Sequence, residues 1–286
     1  VLLAAIGEAV VEKSGVLNLG VEGMMITGAV IGFIIAVNTQ IPIYGFICAA
    51  FAGALLSIIF AILTQYMMSN QVATGLGLTM VGLGLSALIG KPYEGIKSPT
   101  LTKLEIPILS DIPILGPMIF SHDAIVYFSI FVIASVAFII KKTRIGLILR
   151  AVGENQDAAH ALGYKVIRIR FIAIMFGGAT AGIGGAYISL ARVPQWTEGM
   201  TAGAGWIALA LVVFASWKPW RVLVGAYLFG GITVLQLNLQ AIGVAIPVEI
   251  LSMSPYLVTI VVLIGISLFG HQTAPGSLAR PFHASQ

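Results

Sequence analysis

Long apolar runs separated by short polar stretches follow one another along almost the whole chain. Several of them approach the ~20 residues that cross the ~30 Å hydrocarbon layer of a bilayer as a helix. The pattern predicts an all-α polytopic membrane protein with about eight or nine transmembrane or partial segments. The predicted segments are 1–13, 21–37, 43–63, 71–90, 123–140, 169–190, 204–217, 222–238 and 254–269.

Two of these runs are short for a span. The run 1–13 begins at Val1 rather than Met, and we expect native residues to precede it. The run 204–217 predicts a tilted, broken or re-entrant segment. Apolar runs continue to near the end of the chain, so we interpret residues 1–286 as a single transmembrane domain.

Composition supports this class and excludes others. The chain is 58% hydrophobic and 9% charged, whereas a soluble domain carries roughly 25% charged residues. The single cysteine, Cys48, lies in an apolar run, which excludes an intrachain disulfide framework and a Cys-based zinc site. The histidines lack metal-ligand spacing, so we predict no metal site. The net charge of +4 comes from basic residues beside apolar spans and does not indicate a nucleic-acid partner.

The two longest polar loops differ in charge. The loop 141–170 is rich in Lys and Arg, whereas the loop 91–123 balances Lys with Asp and Glu. The positive-inside rule therefore places 141–170 in the cytoplasm and 91–123 outside. Repeated prolines in 91–123 favour an ordered extramembrane loop over a continuous helix.

The cytoplasmic loop contains the segment "RAVGENQDAAHALG" at 150–163. Asn155 is a good N-cap, Asp157 lies in the first turn, and Gly163 stands where a C′ glycine ends a helix. The segment predicts a helix of about two turns, with one apolar side formed by Ala158, Ala159 and Leu162. Because so short a helix does not persist alone in water, packing or a partner must hold it. These features also fit an ordinary loop between two spans, whose basic residues serve only to set the topology.

Four segments together resemble one family. "GLILRAVGENQDAAHALG" at 146–163 resembles the cytoplasmic coupling segment of ABC-transporter permeases for simple sugars, nucleosides and branched-chain amino acids. "GEAVVEKSGVLNLGVEGMMITGA" at 7–29 resembles the same group, most closely its nucleoside and simple-sugar branch. "NQVATGLGLTMVGLG" at 70–84 and "FGGATAGIGGAYISL" at 176–190 fit that branch as well.

The resemblance implies the permease fold and function of an ABC importer. It implies cytoplasmic ATPase subunits that carry ATP and Mg²⁺, a second permease subunit, identical or related, and an external substrate-binding protein. It further implies that residues of the coupling segment contact the ATPase: Arg150, Gly153, Glu154, Asn155, Asp157, Ala158, Ala159, Leu162 and Gly163.

The chain itself carries no motif for ATP hydrolysis. "GLSALIGKP" at 84–92 has five residues between its glycines and Pro92 after Lys91, where a phosphate-binding loop needs four residues and Ser or Thr. We also find no nucleophile–base or metal constellation, so we predict a transport subunit without catalytic residues or cofactors of its own.

Polar residues within the apolar runs are candidates for the translocation path. Glu22 follows Asn18 by four residues, so both can share one helix face. Neighbouring glycines indicate a non-helical break between the first two spans at this point. The other candidates are Gln71, Thr74, Thr79, Gln236 and Asn238, whose hydroxyls and amides suit an uncharged cargo. The alternatives are hydrogen bonds between helices for the neutral residues. For Glu8, Glu12 and Glu22, the alternative is an interfacial position, solvated or paired with Lys13.

Two further patterns concern packing. Gly178 with Gly182, and Ala181 with Gly185, have the small-x-x-x-small spacing that lets helices approach closely in lipid. The four tryptophans lie near predicted span ends, where anchoring at the membrane interface is the expected role. They are Trp196, Trp206, Trp217 and Trp220.

Two rival functions stay open. A branched-chain amino acid permease would need partners for the carboxylate and ammonium of its cargo. An ion-coupled secondary transporter would need paired carboxylates or a proton relay deep in the spans, for which Glu8 and Glu22 are the main candidates.

Overall fold

A computed structural model describes residues 1–99, 101–105, 121–243, 247–269 and 274–283. Its helices are α1 (Leu2–Lys13), α2 (Val21–Thr39), α3 (Pro42–Ala61), α4 (Gln71–Gly90), α5 (Ala124–Lys142), α6 (Arg144–Glu154), α7 (Gln156–Ala161), α8 (Val166–Tyr187), α9 (Ala204–Phe214), α10 (Pro219–Ala241) and α11 (Val248–Phe269). Turns of π-helix, Ile62–Tyr66 and Ile188–Arg192, extend α3 and α8. Strands β1 (Lys103–Glu105) and β2 (Ser121–Asp123) pair antiparallel.

The described helices confirm the all-α polytopic class. Within the described ranges, six helices are long and apolar enough to cross a membrane. They are α2, α3, α4, α5, α8 and α10. Helices α3, α4 and α8 are taken together with the turns that follow them. Helix α1 has 12 residues, as expected for a partial segment, and α11 covers the predicted span 254–269.

Helices α2, α3 and α8 pack backbone against backbone. A Cβ built on Gly182 of α8 would collide with the carbonyl of Ala49 in α3, and one on Gly28 of α2 would collide with Gly182. Gly53 of α3 meets Gly178 in the same way. The small-residue spacing in α8 therefore does form the predicted packing face.

The chain between α1 and α2 is a non-helical turn, residues 14–20, buried against α4. A Cβ on Gly75 of α4 would lie 2.8 Å from the backbone nitrogens of Leu19 and Gly20. Gly15 has φ +90°, in the region that favours glycine. The predicted glycine-rich break is thus present, and its glycines allow the close approach.

The loop that follows α4 pairs with the loop that follows α8. Glu94 and Lys97 form isolated bridges with Trp196 and Gln195. The indole of Trp196 covers Gly90 and is almost fully buried, so its predicted role as an interfacial anchor is wrong. The strands β1 and β2 belong to the predicted external loop; residues 100 and 106–120 of that loop lie outside the described residues.

Candidate functional site

The polar loop 141–170 is more helical than the sequence pattern predicted. Helix α6 follows α5 after a single extended residue, Thr143, whose hydroxyl accepts a hydrogen bond from the N–H of Gly146 at 3.2 Å. Leu149 and Val152 are buried, whereas Ile145 and Leu147 are exposed. Thr143 at an N-cap position before this run was the signal that would have located α6.

Helix α7 has the caps that the sequence predicted. The Asn155 side chain accepts hydrogen bonds from the N–H groups of Asp157 and Ala158, at 3.1 and 3.0 Å. Gly163 has φ +87° and lies just beyond the last turn. These contacts fix both ends of a helix that is only six residues long.

The exposed side of α7 differs from the predicted one. Ala158 and Leu162, four positions apart, are exposed, and Leu162 has 76% of its surface accessible. Ala159 is 2% exposed and packs in a small cluster with Val152 and Val166. Because adjacent helical residues are turned by about 100°, Ala159 cannot share the outward face of Ala158. The prediction of Ala159 as part of a partner-facing side is therefore wrong.

The remaining predicted coupling residues lie before α7 or, in the case of Asp157, in its first turn. Arg150, Glu154 and Asp157 are exposed. Gly153 is buried, and a Cβ there would collide with the carbonyl of Lys13, at the end of α1. Gly153 thus connects this region to α1 rather than to an external partner.

A segment that follows α11 holds α7 from the side. We call residues 275–283 the strap. The N–H of Gln156 donates to the Ser277 hydroxyl at 3.0 Å, and the Gln156 amide donates to the carbonyl of Pro281 at 2.9 Å. The ring of Phe282 lies edge-on to His160, with centroids 5.2 Å apart. Sequence reasoning did not identify this segment, because its contacts join residues more than 100 positions apart in the chain.

Three of the predicted path residues hold the 14–20 turn instead of facing an open path. Gln71 accepts a hydrogen bond from the N–H of Leu17 at 2.9 Å, and Thr79 donates to the carbonyl of Leu19 at 3.1 Å. Asn18 is fully buried and accepts from the N–H of Gly20 at 2.9 Å. These contacts agree with the alternative of hydrogen bonding between elements.

Glu22 caps the first turn of α9. Its carboxylate accepts hydrogen bonds from the Thr201 hydroxyl at 2.6 Å, the Gly203 N–H at 2.9 Å and the Gly205 N–H at 2.6 Å. A carboxylate at a helix N-terminus satisfies free N–H groups and is favoured by the helix dipole. The alternative of a solvated carboxylate is wrong for Glu22, which is 4% exposed.

Helix α9 is too short to cross a membrane by itself. It has 11 residues, about 16 Å at the usual rise, and follows the non-helical stretch 193–203. The expectation of an incomplete segment at 204–217 is confirmed, and Glu22 is the residue that supports its start.

The other predicted path residues lie on outer faces. Thr74 is half-buried and its hydroxyl lies 2.8 Å from that of Ser69. On α10, Gln236 is half-buried and Asn238 is exposed. Among the described residues, no side-chain hydrogen bond joins these three residues to Asn18, Glu22, Gln71 or Thr79.

Glu8 and Glu12 are buried on α1, one helical turn apart. Glu8 accepts a hydrogen bond from the N–H of Asn18 at 3.2 Å, and Glu12 accepts one from the indole N–H of Trp217. The alternative of solvated interfacial carboxylates is therefore wrong for both, and so is the anchoring role of Trp217, which is 4% exposed. Trp206 and Trp220 are about half exposed, as anchors would be.

No metal cluster is found among the residues that the structure describes, where no three His, Cys, Asp or Glu side chains are grouped to hold an ion. The site consists of two parts: an exposed helix, α7, supported by the strap, and a buried turn, 14–20, connected to α1, α4 and α8.

Comparison with known proteins gives consistent relatives. Residues 1–267 match the family described as the permease component of the branched-chain amino acid transport system. A putative glucose ABC transporter permease of Haloferax volcanii is 39% identical, over 92% of this chain and 86% of its own length. A guanosine ABC transporter permease of Bacillus subtilis is 34% identical, over 98% of this chain and 92% of its own.

A third relative, a nucleoside ABC transporter permease of Lactococcus lactis, is 30% identical over 92% of this chain and 87% of its own length. No solved structure matches the chain.

Proposed function

We propose that this chain, which belongs to the permease family of branched-chain amino acid transport systems, imports nucleosides or simple sugars. ATP-driven motion enters its membrane domain at α7. It is a multi-pass plasma-membrane subunit of an ABC transporter and not an enzyme, since ATP hydrolysis resides in a separate subunit. ATPase and substrate-binding proteins are the general partners of such permeases.

The proposed cargo is a nucleoside first and a simple sugar second. The relatives named above are described as permeases for guanosine, nucleosides and glucose. These compounds are uncharged and rich in hydroxyl groups, which suits neutral hydrogen-bonding side chains. A branched-chain amino acid is the third candidate, because the family as a whole is described by that cargo.

The proposed entry point for ATP-driven motion is the outward face of α7. The observation that carries this role is the exposed apolar pair Ala158 and Leu162 on a helix capped at both ends. A small apolar face on a rigid helix fits the groove of a partner protein. ATP and Mg²⁺ would be bound by that partner, two copies of which would face a pair of permease subunits, identical or related.

The experiment is uptake by vesicles that contain the chain together with the proteins of its neighbouring genes. Radiolabelled uridine, ribose and leucine compete for entry in the presence of ATP. We expect uridine to be taken up best, ribose next and leucine least. Uptake that continues without ATP but stops when the ion gradient is dissipated would establish an ion-coupled transporter instead.

A further inference from the structure

Arg170 is a fully buried cation that bonds to two separate pieces of backbone. It lies on α8, and its Nε donates to the carbonyl of Ser14 at 3.1 Å. Its Nη1 donates to the carbonyl of Arg280, in the strap, also at 3.1 Å. The planar guanidinium can serve both carbonyls at fixed angles, which a lysine ammonium cannot.

The strap makes contacts in the same two directions. The N–H of Ser277 donates to the carbonyl of Gly153 at 2.8 Å, at the end of α6, while the N–H of Ala279 donates to the carbonyl of Gly15 at 3.2 Å. A Cβ on Gly15 would lie 2.7 Å from Nη2 of Arg170 and 3.3 Å from Cβ of Ser277. The strap is thus enclosed between α6 and α7 on one side and the 14–20 turn on the other.

The 14–20 turn in turn holds α1 and α4. Glu8 and Gln71 accept hydrogen bonds from two consecutive backbone N–H groups, those of Asn18 and Leu17. Continuous hydrogen-bonded contacts therefore run from α7 through the strap and the turn to the helices of the membrane domain.

We propose that Arg170 and the strap clamp α7 to the 14–20 turn, so that these elements move as one body and pass the displacement of α7 to α1, α2 and α4. Arg170 is a positioning residue in this arrangement, because its side chain is fully buried and bonds to carbonyl groups of this chain. The proposal rests on the coupling role proposed above for α7. Burying a cation is costly unless it is hydrogen-bonded, and the carbonyls of Ser14 and Arg280 supply those bonds.

The first test replaces Arg170 by Lys in the complete transporter, reconstituted in vesicles with its ATPase and binding protein. Arg168→Lys is the matched control, because Arg168 lies on the same helix and is exposed. Uptake of radiolabelled uridine, ribose and leucine is measured together with ATP hydrolysis. We expect Arg170→Lys to retain the ATPase and its hydrolysis, while uptake per ATP falls about tenfold, the size of effect that coupling networks show.

Unchanged uptake per ATP in folded Arg170→Lys would refute the clamp. If that variant does not fold, Phe282→Ala answers the same question, with exposed His283→Ala as its control. Failure of the coupling role of α7 gives a different result. In that case Ala158→Trp leaves the amount of retained ATPase unchanged, whichever result Arg170→Lys gives.

The second test asks whether strap and helix move together. Gln156→Cys with Ser277→Cys, in a Cys48→Ser background, places thiols on two residues that now touch through the backbone N–H of Gln156 and the hydroxyl of Ser277, 3.0 Å apart, and mass spectrometry verifies that oxidation joins them. Oxidation should leave uptake within about twofold of the reduced sample, since the bond only fixes a contact that persists through the cycle. Loss of uptake on oxidation, restored by a reducing agent, would show that the strap must separate from α7 and would overturn the proposal.

Discussion

The hydroxyl of Thr201 donates a 2.6 Å hydrogen bond to the carboxylate of Glu22, although the two residues are 179 positions apart. This bond and two from backbone N–H groups attach the first turn of α9 to the start of α2. The start of this short helix depends on that carboxylate, because it accepts from the N–H groups of Gly203 and Gly205, whereas the N–H of Ala204 donates to the carbonyl of Thr201.

Replacing Glu22 by Gln should destabilise the permease. The amide keeps one oxygen but presents an NH₂ group toward a backbone N–H, so one donor loses its acceptor, at a cost of about 1–3 kcal/mol. We expect a lower melting temperature of the detergent-solubilised protein. Exposed Glu198→Gln is the control. An unchanged melting temperature with altered cargo preference would return Glu22 to the translocation path.

The neighbouring alanines of α7 form a matched pair. Ala158→Trp adds bulk on the exposed face, and we expect a normal yield of folded protein with reduced copurification of the ATPase. Ala159→Trp adds the same bulk inside the cluster with Val152 and Val166, where overpacking costs about 1–3 kcal/mol. The folded yield should fall for Ala159→Trp alone. Equal copurification of the ATPase by Ala158→Trp and the wild type would argue against docking at this face.

Gly163 offers a test of the helix stop. Its φ of +87° resists a β-branched residue, so Gly163→Val should cost roughly 1 kcal/mol or more locally and reduce ATP-dependent uptake. Gly163→Asn is the control, since Asn adopts positive φ more readily and nothing lies within 4 Å of the added Cβ. Similar uptake by both variants would show that the backbone conformation at this residue does not matter for coupling.

The packing face of α8 predicts a difference between two of its glycines. Gly182→Ala should prevent normal assembly of the helices, because the added methyl collides with the carbonyl of Ala49. Gly184→Ala should be tolerated, since the nearest atom would lie 3.7 Å away, an ordinary contact. Size-exclusion profiles in mild detergent compare the two. A normal profile for Gly182→Ala would mean that α3 and α8 separate easily.

Local signals in the sequence were sufficient for the spans and for α7. Apolar length located the long helices, and Asn155 with Gly163 located both ends of α7, because caps act within a few residues. The side of α7 that faces inward was not predictable in the same way. Ala158 and Ala159 are chemically identical, and they differ in that Ala159 packs against Val152, Val166 and Phe282, the last of which lies in the strap, far away in the chain.

Buried polar side chains were harder to interpret. Glu22, Gln71 and Thr79 were expected along a path for an uncharged cargo, but they bond to backbone groups of α9 and the 14–20 turn. A polar residue in an apolar run shows that a partner exists and does not show whether that partner is cargo or protein. That distinction depends on contacts between elements far apart in the chain.

The glycine contacts among α2, α3 and α8 have a consequence for the transport cycle. Where backbone meets backbone, no side-chain rotamers are available to rearrange, and a relative shift would first have to pull the helices apart. We therefore expect these three helices to move as one rigid unit. Gly230 and Gly231 of α10, by contrast, have open space around them. Motion that opens and closes a passage then falls between this unit and the elements outside it.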